Sequence, residues 1–339
     1  MRDKQTRVLI TGAGGFIGSH LIEFLKERGY WVRGVDLVYS QFMNTSADEF
    51  RILDLRRWRD CLAATEGVEH VYSLAANMGG IGFIETVKAD VMRDNVLINT
   101  HMLEAARVNQ IKRYFYSSSA CVYPTYNQRD PEVTPLKEAE AYPADPDNEY
   151  GWEKLFTERI VASYRAEHGL ETRIARYHNV YGPHGTWRGG REKAPAAICR
   201  KLAEAEDGDT INIWGDGRQT RSFCYIDDCL EGSYGLMMSD YHQPLNIGSD
   251  ELVSINRLVE IVSDIAGKRV LVDHDTTKPE GVRGRNSDNT LIREVLDWVP
   301  GISLQDGLRK TYPWIEDQVR RAAGRDPALE TARSAPLSD

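Results

Sequence analysis

No apolar segment of this 339-residue chain approaches the roughly 20 residues that a membrane-spanning helix needs. Cysteine is scarce, and its five residues are scattered without a C-x-x-C pair or a Cys/His cluster. That spacing supports neither a disulfide framework nor a zinc site. An odd number of isolated thiols predicts reduced cysteines, and the N-terminal residues do not resemble a signal peptide. Together these features predict a cytoplasmic protein with no membrane partner.

Positive charge is also in deficit, because 42 Lys and Arg stand against 51 Asp and Glu, for a net charge of −9. A surface of this sign repels phosphate backbones, so a general nucleic-acid binder is disfavoured. A nucleotide ligand remains compatible with the charge, because a local basic pocket can overcome the global sign. The apolar content of 41% is ordinary for a globular chain with one large or two modest domains.

The first 178 residues alternate between short β-rich runs and segments with helical apolar spacing. Strands are predicted at 7–11, 31–36, 68–74, 113–118 and 172–177, and helices at 16–28, 87–108 and 150–167. This alternation indicates an α/β fold, with helices on both faces of a Rossmann-type, doubly wound parallel sheet.

The pattern loosens beyond residue 178, where glycines and prolines become frequent. We predict an NAD-binding Rossmann domain from residues 1–178 plus about 222–247. A smaller, mixed α/β substrate domain is predicted from about 179–221 and 248–320. Residues 321–339 are rich in Ala, Arg, Pro and Ser, which predicts a flexible tail.

Gly12, Gly15 and Gly18 form a glycine-rich turn between the first predicted strand and the first helix. Glycine lets the backbone approach a pyrophosphate, and a helix N-terminus offers free N–H donors. Asp36 ends the next strand and can hold the two hydroxyls of an adenosine ribose, so NAD is favoured over NADP. A glycine-rich turn without a ligand is the alternative.

Tyr150 and Lys154 are spaced i, i+4 and therefore share one helix face. A lysine ammonium should lower the pKa of a nearby tyrosine, giving a base that takes a proton from an alcohol during hydride transfer. The alternative is an ordinary surface pair. Ser119, at the end of a predicted strand, would hydrogen-bond the reacting hydroxyl or simply cap the strand.

Cys121 follows that serine and could add a second acid/base group, although cysteine is often a small buried hydrophobe. Lys193 lies beside a glycine-rich loop and could contact phosphate, act as a base or be a solvated charge. Arg221, Arg283 and Arg285 follow glycine-containing turns. Their planar guanidinium groups could bind a diphosphate, or they could be surface charges.

Taken together, these motifs resemble the extended short-chain dehydrogenase/reductase family, the NAD-dependent epimerases and dehydratases that mostly act on nucleotide sugars. The resemblance rests on the glycine turn, the serine-ended strand, the Tyr150/Lys154 pair and residues 179–183 (Asn-Val-Tyr-Gly-Pro). Within the family, five further stretches are similar to its GDP-sugar 3,5-epimerases, at 74–80, 117–124, 185–197, 214–223 and 279–289. The similarity spans most of residues 6–320.

The resemblance implies a role for each matching residue. It makes Cys121 and Lys193 the acid/base pair, and it makes Ser119, Tyr150 and Lys154 the oxidation site. The implied cofactor contacts are Gly12, Gly15, Phe16, Ile17, Gly18, Asp36, Asp54, Leu55, Ala75, Tyr150 and Lys154. The implied substrate contacts are Met78, Gly79, Ser119, Asn179, Lys193, Lys201, Gln219, Arg221 and Arg285. No metal site is implied.

The activity implied is that of an NAD-dependent isomerase, inverting C3 and C5 of GDP-mannose to give GDP-L-galactose, with GDP-L-gulose as the 5-epimer. A homodimer through helices 87–108 and 150–167 is also implied. The alternatives are another epimerase or dehydratase of NDP-sugars and a non-enzymatic NAD-sensing protein. Residues 119–121 lack the Thr-Asp-Glu of the family's 4,6-dehydratases, and its 4-epimerases typically carry Thr where this chain has Cys121. Asn77 departs from the Asp expected in the pattern.

Overall fold

The computed structural model describes residues 5–278 and 280–324 of the chain. The strands are β1 (Arg7–Thr11), β2 (Trp31–Asp36), β3 (Glu49–Ile52), β4 (His70–Ser73), β5 (Arg113–Ser119), β6 (Glu171–Tyr177), β7 (Val180–Tyr181), β8 (Thr210–Trp214), β9 (Thr220–Ser222), β10 (Cys224–Tyr225), β11 (Pro244–Ile247), β12 (Leu252–Ser254), β13 (Leu271–Asp275) and β14 (Gly284–Arg285). The α-helices are α1 (Phe16–Glu27), α2 (Trp58–Thr65), α3 (Ile81–Ile84), α4 (Lys88–Val108), α5 (Glu149–His168), α6 (Ala194–Glu204), α7 (Ile226–Met238), α8 (Ile255–Ala266), α9 (Thr290–Leu296) and α10 (Leu304–Ala323).

Seven parallel strands form the central sheet, in the order β11-β6-β5-β4-β1-β2-β3. The chain starts in the middle of the sheet and winds outward to both edges, which confirms the predicted Rossmann-type fold. Successive side chains of β1 enter different cores: Val8 and Ile10 pack with α1 and α7 residues, whereas Leu9 packs with α2, α4 and α5 residues. The alternation follows from the two-residue period of a strand.

After β6, strand β11 joins the central sheet and α7 packs on it, and the other elements form smaller sheets and helices. Here β12, β9 and β14 make a three-stranded sheet, while β13 pairs with β8 and β10 pairs with β7. The amphipathic helix α6 packs against α8 and α10. This mixed α/β region lies over the carboxyl ends of the central strands, where ligands bind in folds of this type.

Several predicted boundaries need correction. The strand predicted at 68–74 is shorter and spans His70–Ser73. The sequence reading missed β3 and α2, because β3 is a short, partly exposed edge strand and α2 buries only Cys61, Ala64 and Thr65. Helix α10 continues to Ala323, so residues 321–323 are helical, and residues 325–339 of the predicted tail lie outside the described residues. In the described part of the chain, no helix is long and apolar enough to cross a membrane.

A buried ion pair holds β6 against α5 beneath the end of β5. Arg176 Nη2 lies 2.7 Å from Glu158 Oε2, and the two side chains are 2% and 4% exposed. Glu158 Oε1 also accepts a hydrogen bond from Ser118 Oγ at 2.5 Å. The network therefore fixes the strand end that carries Ser119.

We expect Arg176→Met to lower the free energy of unfolding by about 3–5 kcal/mol, because it leaves the Glu158 carboxylate buried without its cation. Urea denaturation would measure the change. As a control, Arg257→Met removes an exposed pair with Glu260 and should change the same free energy by less than about 1 kcal/mol. Equal effects of the two substitutions would contradict the prediction.

Candidate active site

A cavity of about 1030 Å³ lies at the carboxyl ends of the central strands. The mixed α/β region forms the rest of its wall. Its wall contains every residue predicted for the site, although these residues are spread along the sequence from Gly12 to Arg285. The tertiary structure thus brings the predicted cofactor, catalytic and substrate groups to one place. Their individual roles stay predictions.

The glycine turn forms one end of this cavity. A side chain at Gly18 would place its Cβ 2.1 Å from the carbonyl oxygen of Gly12, so glycine is needed where α1 packs on the turn. Helix α1 starts without a side-chain cap and has no acidic residue in its first turn. Its first N–H groups and its dipole therefore suit a negatively charged ligand.

Asp36 lies beside the glycine turn, at the end of β2. Its carboxylate accepts hydrogen bonds from the backbone N–H groups of Gly14, at 2.9 Å, and Leu37, at 2.6 Å. These contacts fix an acceptor where an adenosine ribose would follow a pyrophosphate on α1. The uncapped helix, the close glycine packing and this acceptor fit a dinucleotide, and the carboxylate would repel a 2′-phosphate.

Asp54 lies further along the same wall, and its carboxylate is already engaged. Arg56 Nε and Nη2 donate to its two oxygens, each at 2.9 Å. The Arg56 guanidinium holds the pKa of Asp54 below its ordinary value. The pair fixes the orientation of the carboxylate at this end of the cavity.

Tyr150 and Lys154 line the middle of the cavity from the first turns of α5. Asn148 caps the start of the helix, and its Oδ1 accepts from the N–H of Gly151 at 2.9 Å. Tyr150 is 6% exposed, and Lys154 Nζ donates to the carbonyl of Ser117 at 2.9 Å. The i, i+4 spacing therefore does place both side chains at the serine-ended strand.

The predicted lowering of the pKa of Tyr150 is wrong for this structure. Burial raises the pKa of Tyr150 well above its ordinary value, Cys121 and Glu153 add to the increase, and a hydrogen bond with Ser119 opposes it. Lys154 does not offset the increase in this arrangement, in which Nζ donates to the Ser117 carbonyl and lies 5.5 Å from the centre of the Tyr150 ring. Burial also lowers the pKa of Lys154 itself.

Cys121 lies in a short 3-10 turn, Ala120–Val122, directly after β5. Ser119 Oγ starts this turn by accepting from the N–H of Cys121 at 3.2 Å. Any side chain at Gly151 would place its Cβ 2.2 Å from the Cys121 carbonyl oxygen, so glycine lets α5 pack closely on the turn. Cys121 and Tyr150 are thereby held beside each other.

Arg285 contacts the thiol from the opposite wall, with Nη1 3.2 Å from Cys121 Sγ. Burial alone would lower the pKa of Arg285, but the neighbouring Cys121 and Asp147 raise it above its ordinary value. The guanidinium places a positive charge against the thiol sulfur. Cys121 also packs against the apolar cluster of Ile84, Val91 and Tyr150, so the thiol has one charged and one apolar neighbourhood.

Gln128 was missed by the sequence reading, although it fixes that guanidinium. Gln128 Oε1 accepts from Arg285 Nε at 2.5 Å, and Nε2 donates to the carbonyls of Tyr123 and Pro124 at 3.0 and 3.1 Å. The residue thus joins the loop after Cys121 to β14. No local pattern could have shown this, because Gln128 and Arg285 are 157 positions apart.

Lys193 ends the glycine-rich loop and immediately precedes α6. The loop is anchored to the opposite wall, since the Arg191 carbonyl accepts from the N–H of Gly80 at 3.0 Å and the Arg191 guanidinium lies 3.7 Å from the centre of the Phe83 ring. Burial lowers the pKa of Lys193, and Cys121 opposes that change. An amine with a lowered pKa is better suited to exchange protons near neutral pH.

Arg221 stands near Arg285 at the far end of the cavity. Burial lowers the pKa of Arg221 to about 9, and Arg285 contributes to the decrease. The side chain remains protonated at neutral pH, and its guanidinium donates to the carbonyls of Thr220 and Glu280. Two desolvated guanidinium groups near each other are typical of a diphosphate site.

The remaining predicted substrate residues lie along the same wall. Gln219 is 5% exposed, and its Oε1 has no hydrogen-bond partner, so it presents a free acceptor. Lys201 Nζ donates to the carbonyl of Asn212, and Asn179 Nδ2 donates to that of Ser222 at 3.0 Å. Arg283, the third arginine considered, is not part of this wall, because it pairs with Asp216 and Glu280.

Comparison with known proteins places the chain among sugar-nucleotide enzymes. Residues 8–248 match the NAD dependent epimerase/dehydratase family. The chain is 50% identical over 327 residues to the GDP-mannose 3,5-epimerase of Arabidopsis thaliana, covering 95% of this chain and 86% of the relative. It is 29% identical to the GDP-L-fucose synthase of Escherichia coli, covering 93% of this chain and 98% of that protein.

Solved structures agree with this placement. The UDP-glucose 4-epimerase of Thermotoga maritima superimposes with a TM-score of 0.82 at 27% identity, covering 93% of this chain and all of that one. The family match covers more than half of the sequence, and the curated relative at 50% identity extends over nearly all of it. The chain therefore belongs to the NAD dependent epimerase/dehydratase family.

Proposed function

We propose that this protein is an isomerase that inverts C3 and C5 of GDP-mannose, giving GDP-L-galactose, with GDP-L-gulose as the 5-epimer. One observation carries the proposal: Cys121 and Lys193 line the cavity that also contains the Tyr150/Lys154 oxidation pair. Oxidation of C4 alone would need Tyr150 and Lys154 but neither Cys121 nor Lys193. The 50% identity to a GDP-mannose 3,5-epimerase supports the choice of GDP-mannose as substrate.

The side chains divide the reaction between them. Tyr150 takes the proton of the C4 hydroxyl, with Ser119 as its hydrogen-bonding neighbour, so that C4 becomes a ketone. The ketone acidifies the hydrogens on C3 and C5, because their carbanions are enolates. Cys121 and Lys193 then remove a proton from one face of the ring and return one to the other. Arg221 and Arg285 hold the diphosphate.

NAD is the cofactor of this family, and the glycine turn, the start of α1 and Asp36 would hold it. When bound, it supplies the acceptor for the C4 hydride and returns that hydride at the end, so it is not consumed. We further propose that residues 1–178 and about 222–247 bind this cofactor, while about 179–221 and 248–320 bind the nucleotide sugar.

Incubation with GDP-mannose in D₂O tests the proposal. New GDP-hexoses carrying deuterium at C3 and C5 are expected, and nuclear magnetic resonance would detect both. GDP-mannose recovered unchanged and unlabelled would overturn the assignment. A product that is inverted at C4 and carries no deuterium at C3 or C5 would instead indicate a 4-epimerase.

We also propose a homodimer through α4 and α5. Five large apolar side chains on these helices are exposed by 38–50%, namely Met92, Leu97, Val108, Trp152 and Phe156. A second copy would bury them. Gel filtration at micromolar concentration should give twice the chain mass, and a monomer mass would contradict the proposal.

A cytoplasmic location is the last part of the proposal. All five cysteines are free thiols, and four of them are buried. Free thiols persist in a reducing compartment. Cell fractionation should therefore find the protein with cytoplasmic markers, and recovery from a secreted or membrane fraction would contradict this.

A further inference from the structure

Glu153 is a buried carboxyl group that the proposed reaction does not use. It lies on α5 between Tyr150 and Lys154 in sequence, and its side chain is fully buried. A buried carboxyl group destabilises a protein unless it is hydrogen-bonded and, when ionised, paired. Its position beside the oxidation pair therefore calls for a physical reason.

The surrounding hydrogen bonds are of the kind that an ionised carboxylate accepts. Asn95 Oδ1 accepts from the backbone N–H of Asn77 at 2.6 Å, which fixes the orientation of the Asn95 amide. Asn95 Nδ2 must then face the other way, and it donates to Glu153 Oε1 at 2.9 Å. Asn99 Nδ2 donates to the other oxygen at 3.3 Å. Both oxygens accept, as those of an ionised carboxylate do. Burial raises the pKa of Glu153, and the charge of Lys154 is the largest influence that opposes this increase.

Lys154 is the cation nearest to this carboxylate, with Nζ 3.9 Å from Glu153 Oε1. Its side chain is 2% exposed, so an ammonium there needs a negative partner. Burial lowers the pKa of Lys154, and Glu153 is the strongest opposing influence, ahead of Cys121 and Glu158.

The other groups facing Lys154 are already engaged. Glu158 pairs with Arg176 at 2.7 Å, and the Cys121 sulfur accepts from Arg285 at 3.2 Å. The rings of Tyr116 and Tyr150 lie 4.9 and 5.5 Å from Nζ and carry no formal charge when protonated. Glu153 is thus the counter-charge that the fold provides for Lys154.

We propose that Glu153 is a positioning residue whose carboxylate keeps Lys154 protonated, so that the ammonium can stabilise the Tyr150 phenolate during C4 oxidation. The inference rests on the proposed oxidation step, but it concerns a residue that does not line the cavity. Asn95 extends the arrangement to the cavity wall, because it also binds the backbone of Asn77, next to Met78.

The substitution Glu153→Gln separates this role from a structural one, because glutamine keeps the shape and an acceptor for Asn95. If Lys154 loses its proton, Tyr150 ionises less readily. The acid limb of the pH profile for C4 oxidation then moves to higher pH, and the rate at neutral pH falls at least about tenfold. If Glu153 acted only by repelling the Tyr150 phenolate, its replacement would instead move this acid limb to lower pH.

The experiment uses the full chain with bound NAD and follows NADH absorbance after GDP-mannose is added, across a range of pH. The matched control is Glu167→Gln, an exposed residue of the same helix, which should leave the profile unchanged. KM for GDP-mannose should not change in Glu153→Gln. An unshifted limb, or one shifted to lower pH, would overturn the inference.

A second readout needs no substrate and so separates this inference from the proposed function. The tyrosinate absorbance of Tyr150 is obtained by subtracting the spectrum of the Tyr150→Phe variant, in the NAD-bound protein, during a pH titration. Its midpoint should move to higher pH in Glu153→Gln even if GDP-mannose is not the substrate. An unchanged or lower midpoint would overturn the role given to Glu153.

Discussion

Cys121→Ala should reduce deuterium exchange at C3 and C5 of GDP-mannose by about 10²–10⁴-fold, while oxidation at C4 continues. The thiol is proposed to exchange protons with the sugar ring, whereas Tyr150 and Lys154 form the oxidation site. NADH absorbance should therefore appear on mixing with GDP-mannose, although epimers do not form. Mass spectrometry of the recovered sugar nucleotide in D₂O measures the exchange.

Lys193→Ala should have an effect of similar size, because inversion needs one group to remove a proton and another to return it from the opposite face. The matched control for the thiol is Cys224→Ala, since Cys224 is buried and neither it nor Tyr225, whose carbonyl its Sγ contacts, lines the cavity. Exchange in this control should match that of the unmodified protein. Undiminished exchange in Cys121→Ala and Lys193→Ala would remove both residues from the mechanism.

Tyr150→Phe should suppress both C4 oxidation and exchange at C3 and C5, by about 10²–10⁴-fold, because the ketone that acidifies these carbons no longer forms. The ring remains, so the packing around Ile84 and Val91 should be retained. Bound NAD, measured after the protein is denatured, should also be retained. NADH absorbance with GDP-mannose is the direct measurement of the lost step.

The two expected results differ in a way that tests the order of the steps. The Cys121→Ala variant should form NADH without deuterium exchange at C3 and C5. The Tyr150→Phe variant should show neither NADH formation nor exchange. The control for the tyrosine is Tyr126→Phe, which removes a hydroxyl that donates to the Pro143 carbonyl outside the cavity. NADH formation at an unchanged rate in Tyr150→Phe would rule out this tyrosine as the base.

Local patterns were sufficient for much of the fold. The apolar spacing of α1 and α4 and the β-rich runs of β1, β2, β5 and β6 reflect periods of 3.6 and 2 residues, and each was recognised within a few residues of its bounds. The short edge strand β3 and helix α2 were not recognised, because neither buries enough side chains to leave a clear period.

The direction of the pKa shift of Tyr150 could not be predicted from local sequence patterns. The i, i+4 spacing correctly placed Lys154 on the same helix face, but it carried no information about burial. In the folded protein the phenol is enclosed, and Lys154 Nζ donates to the Ser117 carbonyl. Desolvation then outweighs the expected attraction, which reversed the predicted direction of the pKa shift.

The sequence by itself determined the family, the glycine turn, the acceptor at Asp36 and the types of side chain that the site contains, because these are encoded in short contiguous motifs. Only the tertiary structure decided how those side chains are paired and charged. The contacts of Arg285 with Cys121 and Gln128, and those of Glu153 with Asn95 and Lys154, depend on burial and on packing between distant elements. Charge states in a protein interior are set by such surroundings, and residue identity alone does not fix them.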